Sequence, residues 1–135
     1  MKATDLMIGD WVQYTCGNPI QVKELLEDGL NIEHDYAECY GVEAYYDDIK
    51  PITLTPEILE KNGFCFVKSS DKDTVWNGWW IYKDLELGVC CLNREDNWPC
   101  YINIDDSNIK CEYVHQLQHA LRLCKFDELA DNFKI

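Results

Sequence analysis

The sequence lacks any long apolar run of the kind that a membrane-spanning helix or a secretory signal requires. Its first ten residues, from Met1 to Asp10, mix charged and apolar side chains and show no cleavage-site pattern. No other segment approaches the roughly 20 consecutive apolar residues needed to cross a bilayer. We therefore expect a cytoplasmic protein without a membrane partner.

Basic residues are scarce. The chain has 12 lysines and arginines against 25 aspartates and glutamates, which gives a formal net charge of −13. Non-specific binding of nucleic acid depends on basic side chains that displace counterions from phosphates, and anionic membranes repel an acidic protein. The charge therefore argues against both of these partners.

Cysteine pairs at the C-x-x-C spacing are missing, although the chain has eight cysteines. An even number would suit a disulfide framework in a secreted protein, but the absence of a secretory signal favours reduced, mostly buried thiols. The missing spacing also removes the usual zinc-ribbon and redox signatures. The cysteines are Cys16, Cys39, Cys65, Cys90, Cys91, Cys100, Cys111 and Cys124.

Motifs for common catalytic chemistry are absent as well. There is no P-loop, no G-x-G-x-x-G and no G-x-S-x-G, so nucleotide transfer and serine hydrolysis have no support. Acidic pairs occur at Asp47-Asp48 and Asp105-Asp106, and the segment 71–73 has a D-x-D pattern without the glycine and glutamate of a calcium loop. We interpret these acids as solubilising turns and predict no cofactor.

What the chain does have is one segment, residues 53–64, in which every local signal specifies a short helix. Thr55 can cap the first turn, Pro56 suits the first helical position, and Asn62-Gly63 offers a left-handed residue at the end. The helix has fewer than two turns, so we expect tertiary packing to hold it.

Short strands are predicted on both sides of this helix. The N-terminal set covers residues 11–14, 20–25, 30–34, 40–46 and 49–52, with turns at Gly17-Asn18-Pro19 and Asp28-Gly29. The second set covers 64–67, a hairpin around Asn77-Gly78, and 87–92, 98–104 and 109–114. We expect the second set to form an antiparallel meander.

A C-terminal helix is predicted over residues 115–124. Apolar residues recur at helical spacing on one face, and a second apolar set runs out of phase, so the helix should break near residues 125–127 and restart. The first set is Val114, Leu117, Ala120, Leu121 and Cys124, and the second is Phe126, Leu129, Ala130 and Phe133.

The predicted fold class is α+β with mostly antiparallel strands. Residues 1–52 resemble an SH3-like barrel, in which Gly9-Asp10-Trp11-Val12 stands at the opening of the first strand. Residues 53–64 form the short connecting helix, and residues 65–135 form a β-meander followed by the C-terminal helix. No flexible linker or repeat divides the chain, so residues 1–135 are expected to form a single compact unit.

Three motifs carry a resemblance across nearly the whole chain. They are GDWV at 9–12, IKPITLTPEILEKNGF at 49–64 and YVHQLQ at 113–118. The chain is similar to an uncharacterised family of small proteins from gut anaerobic bacteria and their phages. That family has no assigned activity, so the resemblance implies no catalytic residue.

His115 and His119 are the sharpest candidates for chemistry. Histidines four residues apart on a helix share a face and can chelate a metal, with Cys111 or Cys124 as a conceivable third ligand. Gln116 stands where the glutamate of H-E-x-x-H would act as a base. We favour the alternative, in which His115, His119 and Arg122 form an exposed patch that faces a partner.

Aromatic residues concentrate in the second half of the chain, at Trp76, Trp79, Trp80, Tyr82, Trp98 and Tyr101. Such a group could stack sugars or single-stranded bases, but a strand binder would also need basic side chains. Alternation places Trp76, Trp80 and Tyr82 on one face of a strand and Trp79 on the other. We interpret the group as sheet core with a partly exposed rim, and we keep Trp76 and Trp79 as interaction candidates.

The preferred function is a non-enzymatic protein-interaction module with an unidentified protein partner. One alternative is a small metal- or cysteine-dependent enzyme that uses His115, His119 or a reactive cysteine. Another is an acidic nucleic-acid mimic, which would need its carboxylates gathered on one face.

Overall fold

The computed structural model describes residues 1–33, 42–68, 76–82, 88–92, 100–104 and 107–135. The chain forms two units. The first contains Met1–Ile52, Tyr113–Phe133 and Ile135, and the second contains Thr53–Glu112 and Lys134. The predicted α+β class with antiparallel sheets is confirmed. None of the helices in the described ranges combines the length and the apolar composition of a membrane span.

The first unit is built on a five-stranded antiparallel sheet of order β4-β3-β2-β1-β5. Its strands are β1 Trp11–Tyr14, β2 Pro19–Leu25, β3 Gly29–Glu33, β4 Val42–Tyr45 and β5 Ile49–Pro51. Short 3-10 helices lie at Ala3–Asp5 and Tyr46–Asp48.

The prediction of an SH3-like barrel is wrong in one respect, because the sheet does not close. Closure would pair the two edge strands, and among the described residues β4 pairs only with β3 and β5 only with β1. The edge strands have four and three residues. Such short strands offer little backbone for further strand pairing, so the sheet remains open.

One face of this sheet forms the core of the first unit. Direct cross-strand partners such as Val12 with Ile20 and Leu30 with Ala44 place their apolar side chains on the same face. The buried set is Leu6, Val12, Ile20, Val22, Leu30, Ile32, Ala44 and Ile49.

Gly29 has a different role from the predicted turn residue. It is the first residue of β3, and the turn before it is closed by the N–H of Leu26, which donates to the carbonyl of Gly29 at 2.8 Å. A Cβ on Gly29 would lie 2.4 Å from the carbonyl oxygen of Ala44. Glycine is needed here because β4 approaches closely.

Two helices, α2 Val114–Leu123 and α3 Asp127–Asp131, complete the first unit. The predicted break between them is confirmed. Lys125 has a φ of 65°, and its N–H donates to Arg122 O at 3.0 Å while that of Phe126 donates to Leu121 O at 2.8 Å. These two bonds make a Schellman ending in which a lysine occupies the position that glycine usually takes.

The second unit contains α1 Pro56–Lys61 and a five-stranded antiparallel meander of order β10-β9-β8-β7-β6. Its strands are β6 Phe64–Lys68, β7 Trp76–Tyr82, β8 Gly88–Leu92, β9 Cys100–Ile104 and β10 Ser107–Cys111. Each strand pairs with its sequence neighbour, so the predicted antiparallel meander is confirmed. The predicted hairpin around Asn77-Gly78 is wrong, because β7 runs unbroken through these two residues. The predicted turns at 71–73 and 105–106, and Trp98, lie outside the described residues.

Helix α1 begins and ends as its sequence predicts. The hydroxyl of Thr55 accepts from the N–H of Ile58 at 3.4 Å, and Gly63 has a φ of 83°. The buried Asn62 adds a contact that the sequence did not indicate. Its side chain donates to Ile58 O at 2.8 Å and exchanges two bonds of 2.7 Å with the backbone of Lys134.

We predict that Gly63→Ala lowers the free energy of unfolding by roughly 1 kcal/mol, because a Cβ is disfavoured at positive φ. The new Cβ would be at an ordinary 3.4 Å from the Tyr82 ring, so conformation and not crowding sets the loss. Chemical denaturation measures it. Gly17→Ala, with a φ of 95° and open space, is the matched control and should lose a similar amount. An unchanged midpoint for Gly63→Ala would contradict the prediction.

The reverse change at the end of α2 should stabilise the protein. Lys125→Gly relieves a left-handed lysine and is expected to raise the free energy of unfolding by roughly 1 kcal/mol. Lys125→Ala keeps the Cβ while removing the charge, so it should bring no gain. If both variants gained equally in thermal denaturation, the lysine charge and not the backbone conformation would be responsible.

Candidate functional site

The three residues predicted to form an exposed patch lie on one face of α2, but that face is not exposed. His115 is only 5% exposed, and His119 and Arg122 are mostly buried. The prediction of a solvated basic patch is therefore wrong. The reason is a fully buried carboxylate, Asp10, to which two of these side chains turn.

Both oxygens of Asp10 are engaged. Oδ1 accepts from Nη1 of Arg122 at 2.8 Å, and Oδ2 lies 2.6 Å from Nε2 of His119 and accepts from the N–H of Met7 at 2.8 Å. Arg122 also contacts the carboxylate of Asp131 at 3.3 Å and the carbonyl of Ile8 at 3.2 Å. A buried carboxylate is tolerated when it is paired and hydrogen-bonded in this way. The cluster therefore joins α2 to residues 7–10, which precede β1.

Gly9 and Trp11, on either side of Asp10, form hydrogen bonds with α2 and with the C-terminal segment. Gln118, which is fully buried, accepts from the N–H of Trp11 at 2.9 Å and donates to the carbonyls of Gly9 at 3.0 Å and Ala130 at 2.9 Å. The indole N–H of Trp11 donates to Phe133 O at 2.7 Å. Residues 9–11, at the start of β1, therefore attach α2 and the C-terminal segment to the sheet through hydrogen bonds.

The backbone at Gly9 favours glycine, because its φ is 89°. An added Cβ would also lie 2.9 Å from Nη2 of Arg122, so the end of that side chain would have to shift.

His115 packs as an aromatic ring. It stacks on Tyr113 with a centroid separation of 5.9 Å and meets the His119 ring edge-on at 5.8 Å. Its Nδ1 is buried and has no hydrogen-bond partner among the described residues. Burial lowers the pKa of His115, with a further lowering from His119 and an opposing effect of Asp10 and Asp5. The ring is therefore neutral at pH 7.

The metal- or cysteine-dependent alternative concerns the described histidines, cysteines and carboxylates. No group of three or more His, Cys, Asp or Glu residues in the described ranges is placed to hold a metal ion. Burial raises the pKa of Cys111 to about 12, which makes its thiol unreactive. Cys16 and Cys65 are exposed thiols, and Cys39 lies outside the described residues.

The aromatic candidates lie on β7, next to the edge strand β6. Trp80 is buried, whereas Trp79 is partly exposed. The pairing of β7 with β8 shifts between Trp76 and Trp79, so the predicted alternation is interrupted between these two residues. The side chain of Trp76 lies outside the described part of the chain.

Strand β6 itself is apolar and open to solvent. Its residues Cys65, Phe66, Val67 and Lys68 are all exposed, and we call this group the β6 edge. Phe66 is 47% exposed and lies 5.3 Å from the Trp80 ring, while Val67 is 39% exposed and lies opposite Trp79. No sequence pattern indicated this exposure of β6, because strand order decides which strand is at an edge.

The chain matches no protein-family model, no curated protein and no solved structure. The geometry of these groups is therefore the basis for a functional proposal.

We predict that His115 makes the protein sensitive to mild acid. Above the ordinary pKa of 6.5 the ring is neutral in both states and has no effect on stability. Below it, the unfolded chain takes up a proton that the folded chain resists, so the free energy of unfolding falls by at most about 1.4 kcal/mol per pH unit.

His115→Leu should therefore show a shallower loss of stability than the wild type between about pH 7.5 and about pH 5.5. Urea unfolding at a series of pH values measures the slope. Lys125→Ala, which leaves all three histidines in place, should retain the wild-type slope. Parallel curves for His115→Leu and the wild type would show that His115 does not titrate differently on folding.

Proposed function

We propose that the protein is a non-enzymatic interaction module that binds an extended segment of another protein along the β6 edge. The observation that carries this proposal is the exposure of apolar side chains on a strand at the edge of a sheet. An edge strand presents unpaired N–H and C=O groups, and proteins usually protect such edges with charge, proline or a cover. The β6 edge has one charged residue, Lys68, and no proline.

Both faces of β6 contribute to this surface. Phe66 and Trp80 form an aromatic pair on one face, and Val67 lies beside Trp79 on the other. Exposed aromatic and aliphatic groups of this kind are enriched where proteins bind one another. Trp79, predicted from the sequence as an interaction residue, is partly exposed and lies opposite Val67, which supports including it in the proposed surface.

The polar cluster on α2 favours a binding role over catalysis. Both carboxylate oxygens of Asp10 are engaged within the fold. One lies beside Nε2 of His119, and the other accepts from the guanidinium of Arg122. Groups that are committed to each other in this way stabilise a unit and have little capacity for proton transfer to a substrate. Only the small exposed parts of the His119 and Arg122 side chains remain candidates for a secondary contact with a partner.

We propose that this role is carried out in the cytoplasm. The exposed thiols of Cys16 and Cys65 are compatible with a reducing environment, where exposed cysteines stay reduced.

A comparison of two matched variants tests the proposal. Val67→Lys places a charge on the β6 edge, and Ile109→Lys places one on the opposite edge strand, β10, where Ile109 is similarly exposed at 42%. Each purified variant, checked for an unchanged melting temperature, is used to recover binding proteins at micromolar concentration. We expect a partner that binds wild type and Ile109→Lys and is weakened about tenfold or more by Val67→Lys.

The opposite pattern would contradict the proposal. A partner retained by Val67→Lys but lost by Ile109→Lys would move the binding site to β10. Recovery of no specific partner by the wild type would count against an interaction module altogether.

A further inference from the structure

We infer that the β6 edge takes a basic, extended segment as an additional strand of the sheet. The inference rests on the proposed function and adds the chemistry of the partner. It follows from the backbone of β6, its exposed side chains and the charge of the chain.

The backbone of β6 is available on one side. Strand β7 pairs with it from Phe64 to Lys68, and no strand in the described ranges pairs with its other side. In an antiparallel pair the main-chain groups of an edge strand point alternately toward the partner and away from it. The outward groups of β6 form a row that an extended peptide can match.

The side chains set the pattern of the incoming segment. Phe66 projects on one face of the sheet, and Cys65 and Val67 project on the other, so apolar surface is exposed on both faces. A strand laid beside β6 therefore gains contacts on both faces if its central residues are apolar. A strictly alternating amphipathic strand would cover only one of them.

Charge selects among the possible occupants. The chain has a formal net charge of −13. The exposed charges on α1 and β6 cancel one another, so the net charge of the chain sets the preference; they are Glu57, Glu60, Lys61 and Lys68. A second copy of this chain, or an acidic segment, would be repelled during approach. A segment flanked by lysine or arginine would be attracted, with a faster association rate at low salt.

Synthetic peptides of about six residues, the length of a typical strand, test this inference. The first probe has a valine- and threonine-rich centre with lysines at both ends. The second replaces the lysines by glutamates, and the third keeps the lysines but carries N-methyl groups on alternate central amides, which prevents strand pairing. Calorimetry gives the affinities, and amide chemical shifts of the wild-type protein locate the site.

We expect the lysine peptide to bind at least about tenfold tighter than the glutamate peptide at low salt, with a smaller difference at high salt. The N-methylated peptide should lose this binding. Shifts should concentrate at residues 64–68, and Val67→Lys should abolish the binding that Ile109→Lys retains. This set of results supports the inference.

Four results would overturn it. Equal binding of the N-methylated peptide would mean that charge acts without strand addition. Equal or tighter binding of the glutamate peptide at the β6 edge would leave the proposed function intact and remove the basic preference. Failure of every peptide, together with a negative partner search, would remove both. Concentration-dependent dimerisation that Val67→Lys abolishes would show that a second copy is the occupant.

Discussion

The first unit depends on the pairing of one buried charge. Asp10 is fully buried, and a carboxylate in that position is tolerated only while Arg122, His119 and the N–H of Met7 surround it. Removing one partner of such a group typically costs about 3–5 kcal/mol, because the remaining charge is left without compensation. Such a loss is comparable with the total stability of many domains, which is roughly 5–15 kcal/mol. The attachment of α2 to the N-terminal sheet is therefore conditional on this cluster.

Local features of the chain were predictable because they depend on neighbours in sequence. The capping threonine, proline and glycine of α1 act within one helical turn, and the break after α2 follows from the change of phase between two apolar sets. Most strand positions and the meander were also readable from alternation and turn residues, whereas Asn77-Gly78 has the residues of a turn but lies within β7. The sequence did not show that the N-terminal sheet stays open, because closure depends on whether two distant edge strands are long enough to pair.

The burial of the His119 side of α2 was not predicted, because Asp10, which His119 contacts, is more than 100 residues away in the sequence. A helical wheel that counts only apolar residues places His119 and Arg122 outside, and it cannot show that a carboxylate lies opposite them. One signal was available. Gln118 lies at the border of the apolar face, one turn after Val114, and a polar residue that becomes buried there needs hydrogen-bond partners. The β6 edge had no corresponding signal, since exposure of an apolar strand is a property of the assembled sheet.

The first unit is discontinuous in sequence, and this affects the order in which a ribosome delivers its parts. Asp10 leaves the ribosome 112 residues before Arg122. At about 5–20 residues per second, translation separates the two by roughly 6–20 seconds. During that interval the N-terminal strands exist without the helix that neutralises their buried acid, while all of Thr53–Glu112 is being synthesised. The carboxylate must stay hydrated until then, so vectorial synthesis postpones completion of the first unit until Tyr113–Phe133 has also emerged.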